Sequence, residues 1–193
     1  MRPDLATIAA ALPVGARVLD VGCGDGALMA ALRAKGCDVR GIEIDGTCVE
    51  ACVAQGLSVV HGDADGDLAF YPDGAFDYAV LGQTLQTAAR PDHMLTELLR
   101  VGRRAFVSFP NFAYWRVRVS LLGRGRMPVT RHLPVSWYAT RNVHPVTVRD
   151  FEALAQELGI ATRRRWFFTR ERGIGAGGAN WRAEHALFEI ARD

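Results

Sequence analysis

No apolar run in this 193-residue sequence reaches the roughly 20 residues that a bilayer span needs, because charge or glycine interrupts every one. The N-terminus also lacks the basic segment followed by an apolar stretch that directs export. Neither membrane nor secretion is expected. Cysteine is scarce at four residues, and in an unexported chain large enough to bury its own core such thiols are expected to stay reduced. The expected compartment is the cytoplasm. Cys48 and Cys52 lie four apart on a predicted helix, but no second Cys/His pair at ligand spacing accompanies them, so they read as core thiols and no metal is expected. Lysine is almost missing, Lys35 being the only one, a bias that reads as nucleotide composition. Internal repeats and low-complexity tracts are absent too. With 49% hydrophobic and 23% charged residues the chain is no disordered polymer, and its length suits one domain spanning 1–193.

One absence is local. From Leu98 to Arg149 there are ten arginines and no acid. The net charge of +2 therefore conceals an asymmetry: residues 1–99 carry 6 basic and 14 acidic side chains, residues 100–193 carry 17 and 7. A stretch like this faces an anionic or acidic partner, or pairs with the acidic first half of its own chain, and sequence does not separate the two.

From Arg17 onward short β-rich runs alternate with helical segments, which predicts an α/β fold with a parallel sheet. Strands are expected at 18–21, 38–42, 58–61, 76–81 and 104–109, and helices at 27–34, 46–55, 91–101 and 148–158. Thr147 and Gly159 supply an N-cap and a C-terminal stop for the last helix. Two further β-like segments, 161–168 and 184–191, follow without an intervening helix and should form an antiparallel hairpin across a glycine-rich connection. Between the fifth strand and the last helix lies an insertion, 110–145, rich in arginine and aromatics. Insertions this long in a compact domain usually serve function.

The segment Val18-Leu19-Asp20-Val21-Gly22-Cys23-Gly24-Asp25-Gly26-Ala27 runs from strand through a glycine turn into a helix. Glycine is required there for positive φ and for approach of a ligand to bare backbone. Gly22-x-Gly24-x-x-Ala27 with Glu43 about 20 residues further on satisfies the dinucleotide fingerprint, and it equally satisfies the Asp-x-Gly-x-Gly-x-Gly loop of S-adenosylmethionine (SAM) binders. Charge weighs between the two. Asp20 and Asp25 would repel a pyrophosphate, whereas SAM has no phosphate and brings a sulfonium and an ammonium against one carboxylate. Asp63, closing the third strand, should project into the crevice edged by Glu43, where it could accept a hydrogen bond from an adenine amino group; the alternative role is to cap the following turn.

With these pieces in order, residues 18–109 resemble class I SAM-dependent methyltransferases, which implies a Rossmann-like seven-stranded, mostly parallel sheet ending in an antiparallel hairpin. Further motifs narrow the match: Gly41-Ile42-Glu43-Ile44-Asp45-Gly46, Gln83-Thr84-Leu85-Gln86, Val107-Ser108-Phe109-Pro110-Asn111-Phe112, Trp115-Arg116-Val117-Arg118, Gly125-Arg126-Met127-Pro128-Val129-Thr130, and Ser136-Trp137-Tyr138 with Asn142 and His144. Across nearly its whole length the chain is similar to the methionine-biosynthesis protein MetW family. That resemblance implies SAM or S-adenosylhomocysteine as ligand, with Asp20, Gly22, Cys23, Gly24, Glu43, Ile44, Asp63 and Ala64 as contacts and Gly82 and Gln83 near the methionyl end. It implies a partner as well, the homoserine O-acyltransferase MetX, in a hetero-oligomer.

A base is not obligatory for methyl transfer, which can run on proximity. No catalytic residue is assigned. His93 should be solvated in the first turn of its helix, while His132, His144 and Tyr138 lie in the insertion. Leu81-Gly82-Gln83-Thr84 stands where base-modifying enzymes carry an Asn/Asp-Pro-Pro-aromatic motif, so nucleic acid is not an expected substrate. Phe112, Trp115, Val119 and Leu122 follow helical spacing; such a stripe usually packs on its own domain, but Trp and Arg are also the residues enriched at interface hot spots.

Overall fold

The computed structural model describes residues 1–129, 135–137 and 139–192. His132 and Tyr138 lie outside them. The chain runs α1 (Pro3–Ala11), β1 (Arg17–Val21), α2 (Ala27–Ala34), β2 (Asp38–Glu43), α3 (Gly46–Ala54), β3 (Ser58–His61), α4 (Ala64–Asp67), β4 (Phe76–Gly82), α5 (Pro91–Val101), β5 (Gly102–Pro110), α6 (Trp115–Arg124), α7 (Val148–Glu157), β6 (Ile160–Thr169), β7 (Arg172–Ile174), α8 (Ala179–Arg182) and β8 (His185–Arg192). The strands form one sheet in the order β3-β2-β1-β4-β5-β8-β6-β7. The first five pair in parallel, and β8 inserts antiparallel between β5 and β6. This is the class I methyltransferase fold.

The sheet has eight strands rather than seven. All seven expected strands are present, and β7 adds three residues at the edge beside β6. The two C-terminal segments pair antiparallel as expected, but they are not a simple hairpin, because β7 and α8 occupy the glycine-rich connection. Thr147 caps α7 by accepting from the Asp150 amide, and Gly159 turns the chain out at φ +65°.

Helices cover both faces. On one side Phe109, Phe151 and Phe188 pack with ring centroids 4.6–5.9 Å apart, joining β5, α7 and β8. On the other, Ile8 of α1, Leu12 just past its end, and Leu28 and Leu32 of α2 bury against Val18, Val80 and Phe106. Helix α1 was not legible in the sequence. It is anchored by more than apolar contact: the Asp4 carboxylate, fully buried, accepts a hydrogen bond from Ser108 Oγ at 2.7 Å, and Arg2 pairs with Asp4 at 3.3 Å while donating to the Gly82 carbonyl at 3.1 Å. Helix α6 is the opposite case, with Val117 the single buried residue of its ten.

The α1 anchor is testable. Removing the hydroxyl that faces a buried carboxylate costs about 1–3 kcal/mol. Ser108→Ala should lower stability by that amount in urea unfolding, and an unchanged midpoint would show that the Ser108–Asp4 hydrogen bond does not anchor α1.

Candidate functional site

Ligands of open α/β sheets bind beyond the carboxyl ends of the strands, where the strand order reverses. Here β2 and β3 lie on one side of β1, β4 on the other. A cleft of about 760 Å³ opens there, lined by Gly22, Glu43, Ile44, Asp63, Ala64 and Asp65 among others. Its volume falls in the range of small-molecule sites.

The β1–α2 loop shapes one wall. Gly22, Gly24 and Gly26 all have left-handed φ, +70°, +56° and +79°, which side chains adopt only under strain. Gly22 is constrained twice over, since a Cβ there would come within 3.0 Å of Thr84 Cγ2. The loop is tied to β2 through Gly22 N–H donating to the Ile42 carbonyl at 2.8 Å. Glu43 completes the tie. Its Oε2 accepts from Gly24 N–H at 2.8 Å, and its Oε1 from the amides of Ile44 and Asp45 at 3.0 and 2.9 Å. A carboxylate offers about four acceptor positions, so three amides leave room for one more donor.

Acids dominate this end of the sheet. Glu43, Asp45, Asp63 and Asp65 line the cleft against one cation, Arg141, which stands 3.9 Å from Asp45. Asp20 lies beneath the loop, on the face of β1 that looks toward α1. Burial pushes its carboxyl up to about 7; Arg2 opposes that rise and the Glu43 charge adds to it. A cation placed here would restore the ionised form.

Of the expected contacts, Gly22, Glu43, Ile44, Asp63 and Ala64 meet at the cleft. Gly24 lies just behind, held by Glu43. The Cys23 side chain turns away into a cluster with Met29, Cys52 and Leu57, and burial raises its thiol pKa further from the reactive range. Gly82 and Gln83 do not line the open cleft; Gly82 sits under Arg2 and Leu5, and Gln83 takes φ +61° with its amide on the Ser108 carbonyl. Asp63 caps α4 through the Asp65 amide at 3.0 Å, the alternative role that the sequence left it, and it also edges the cleft. Cys52 is a core thiol and Cys48 is half-buried. His93 is exposed.

Sequence reasoning missed Thr84, Thr87, Met94 and Arg141, which also line the cleft. Arg141 arrives because the return limb of the insertion clasps the 3₁₀ turn at Leu85–Thr87: the amides of Val143 and His144 both donate to the Gln86 carbonyl, at 2.9 and 3.0 Å. No spacing in the sequence announces that contact. Among the described residues the cleft lining holds no His, Cys, Tyr or Lys, and no helix is long and apolar enough to cross a membrane.

The family model described as "Methionine biosynthesis protein MetW" matches residues 2–190. A curated relative, the "Bifunctional methionine biosynthesis protein MetXA/MetW" of Rhodopirellula baltica, is 32% identical over 180 residues, covering 88% of this chain. The chain spans only 29% of that relative's length. Among solved structures, an S-adenosylmethionine-dependent methyltransferase from Mesorhizobium loti superposes with a TM-score of 0.73 at 18% identity over 98% of both chains. A TehB-like SAM-dependent methyltransferase from Corynebacterium glutamicum gives 0.67 at 20% identity, covering 100% of this chain and 89% of its own. At such identities these structures establish the fold.

The elevated Asp20 carboxyl makes a signed prediction. Its ordinary value is 3.8 and its folded value about 7, so between those pH values the folded state holds a proton that the unfolded state has released. This group's contribution to stability is therefore present in acid and lost as pH rises toward 7. Asp20→Asn should stabilise the protein relative to wild type increasingly across that window, by up to about 1.4 kcal/mol per pH unit. Parallel stability profiles for the two proteins would contradict the assignment.

Proposed function

From the premise that the chain belongs to the MetW family, we propose that it is a SAM-binding, methyltransferase-like protein of methionine biosynthesis that acts as partner or regulatory subunit of a homoserine O-acyltransferase, MetX. The observation that carries the ligand is the acid-lined cleft. Four carboxylates at its wall and one beneath it oppose a pyrophosphate and favour a ligand whose net charge is positive. The bare backbone at Gly22 and the spare acceptor position on Glu43 suit a ribose, and Asp63 suits an adenine amino group. Asp20 is the group to meet the methionyl ammonium, alongside the backbone of Gly24, Gly82 and Gln83. SAM, when bound, would bring an electrophilic methyl group; the chain's own residues bind and orient.

The partner is supported by the fused relative, whose printed name joins MetXA to MetW in one polypeptide. On this reading residues 1–193 form one cytoplasmic SAM-binding unit carrying the 110–145 insertion, and four free thiols suit that compartment. A second reading, methyl transfer to a small molecule, is favoured by the methyltransferases among the solved neighbours.

Calorimetry with SAM, S-adenosylhomocysteine and NAD tests the ligand. A charge-assisted hydrogen bond contributes about 1.5–3 kcal/mol, so Glu43→Ala should weaken SAM binding by roughly tenfold to over a hundredfold. Preference for NAD, or SAM affinity indifferent to Glu43 in a folded variant, would overturn the assignment. Acylation of homoserine by purified acyltransferase should change when this chain is added; S-adenosylhomocysteine accumulating from SAM with homoserine or its acyl product would instead favour the second reading.

A further inference from the structure

Helix α6 presents an apolar stripe to solvent. Successive residues turn by about 100°, so Trp115, Val119 and Leu122 fall on the side opposite Val117, the one residue by which α6 is seated. Their exposures are 38%, 52% and 91%. The stripe borders a groove of about 850 Å³ between α6 and the turn at Arg170, with Trp115 and Val119 shared by both. Cations flank it. Arg116 stacks over the Trp115 ring at 5.3 Å, and Arg116, Arg124 and Arg126 have no carboxylate partner among the described residues.

We infer that α6 and its groove are the docking surface for the acyltransferase, and that the surface they receive there is an acidic one with an apolar centre. The inference rests on the partner reading above and adds the place and the chemistry. An apolar centre inside a charged rim is how protein interfaces are built, with Trp and Arg as the enriched anchors. Charge selects the occupant. A second copy joined through the same face would set these arginines against their own equivalents, because a two-fold interface is self-complementary. RNA would satisfy the arginines and leave Leu122 in water. A bilayer would take the stripe but not the concave groove, which accepts inserted side chains.

The experiment uses the full chain and purified homoserine O-acyltransferase from the same organism. Wild type, Leu122→Glu, Val119→Glu and the double variant Arg124→Glu/Arg126→Glu are compared by titration at two salt concentrations, with thermal melts and SAM affinity as folding controls. All four substituted side chains are exposed, so folding and SAM affinity should not change. Leu122→Glu and Val119→Glu should each raise Kd at least tenfold. The double variant should slow association and flatten its salt dependence. Wild-type affinity in folded Leu122→Glu and Val119→Glu would overturn the surface while leaving the partner intact. Failure of wild type to bind the acyltransferase would overturn both. Self-association of wild type abolished by Leu122→Glu, or binding to anionic vesicles or RNA in place of the acyltransferase, would overturn the choice of occupant.

Discussion

The carboxylate of Glu43 is the contact on which the cleft depends. It closes β2, reaches across to the Gly24 amide and turns back on the amides of Ile44 and Asp45. Those three donors come from two segments that share no helix and no ladder pair beyond β1–β2. A buried N–H without an acceptor costs more than a hydrogen bond contributes, so one side chain both satisfies the donors and fixes the separation of the two walls. The glycine loop could not be held this way with side chains in it, because Thr84 already fills the space a Cβ would take at Gly22.

Charge is segregated for a physical reason. Sequence left open whether the arginine-rich second half neutralises the acidic first half, and several of those fourteen acids turn out to be committed to backbone amides. Asp25 accepts from Ala27, Asp45 from Thr47 and Cys48, Asp63 from Asp65, Asp65 from Ala89 and Asp67 from Asp63. Among the described residues, ion pairs between the halves come down to Arg100 with Glu97 and with Asp73, each at 2.7 Å, and Arg141 with Asp45 at 3.9 Å. These acids are thus bonded to amides, and Arg116 and Arg124 of α6 have no carboxylate partner among the described residues.

The strands and long helices were legible because their periodicity is local. Val18–Val21, Phe76–Leu81 and the capped α7 each carry their own start, stop and buried face, and tertiary packing had only to agree. Helix α1 was not, because two of its anchors, Asp4 and Arg2, are polar and meet Ser108 and Gly82 far along the chain. The site divides the same way. Gly22, Glu43 and Asp63 follow from the chemistry of strand ends, whereas Thr84 and Arg141 reach the cleft through the turn at 85–87 and the return of the insertion, contacts that no motif spacing encodes. The added strand, β7, three residues with glycine at its centre, offered no alternation to read.

Trp115, Val119 and Leu122 show where periodicity stops being informative. A stripe at helical spacing states that one face of a helix is apolar; it does not state which surface will cover it. Ten residues are too few for a helix to persist on intrinsic propensity in water, so its stability comes from packing. In α6 that packing is Val117 together with the turn before it, where Tyr114 is buried and the Arg118 guanidinium donates to the Ala113 carbonyl at 2.7 Å while stacking on Trp181. The helix is thus held at its base by polar and aromatic contacts, which leaves its apolar residues out of the core and costs the domain the burial they would have supplied. At about 25 cal/mol per Å² of apolar area removed from water, covering such a stripe favours association, and the arginines beside it, without a carboxylate partner among the described residues, restrict which surface can do so.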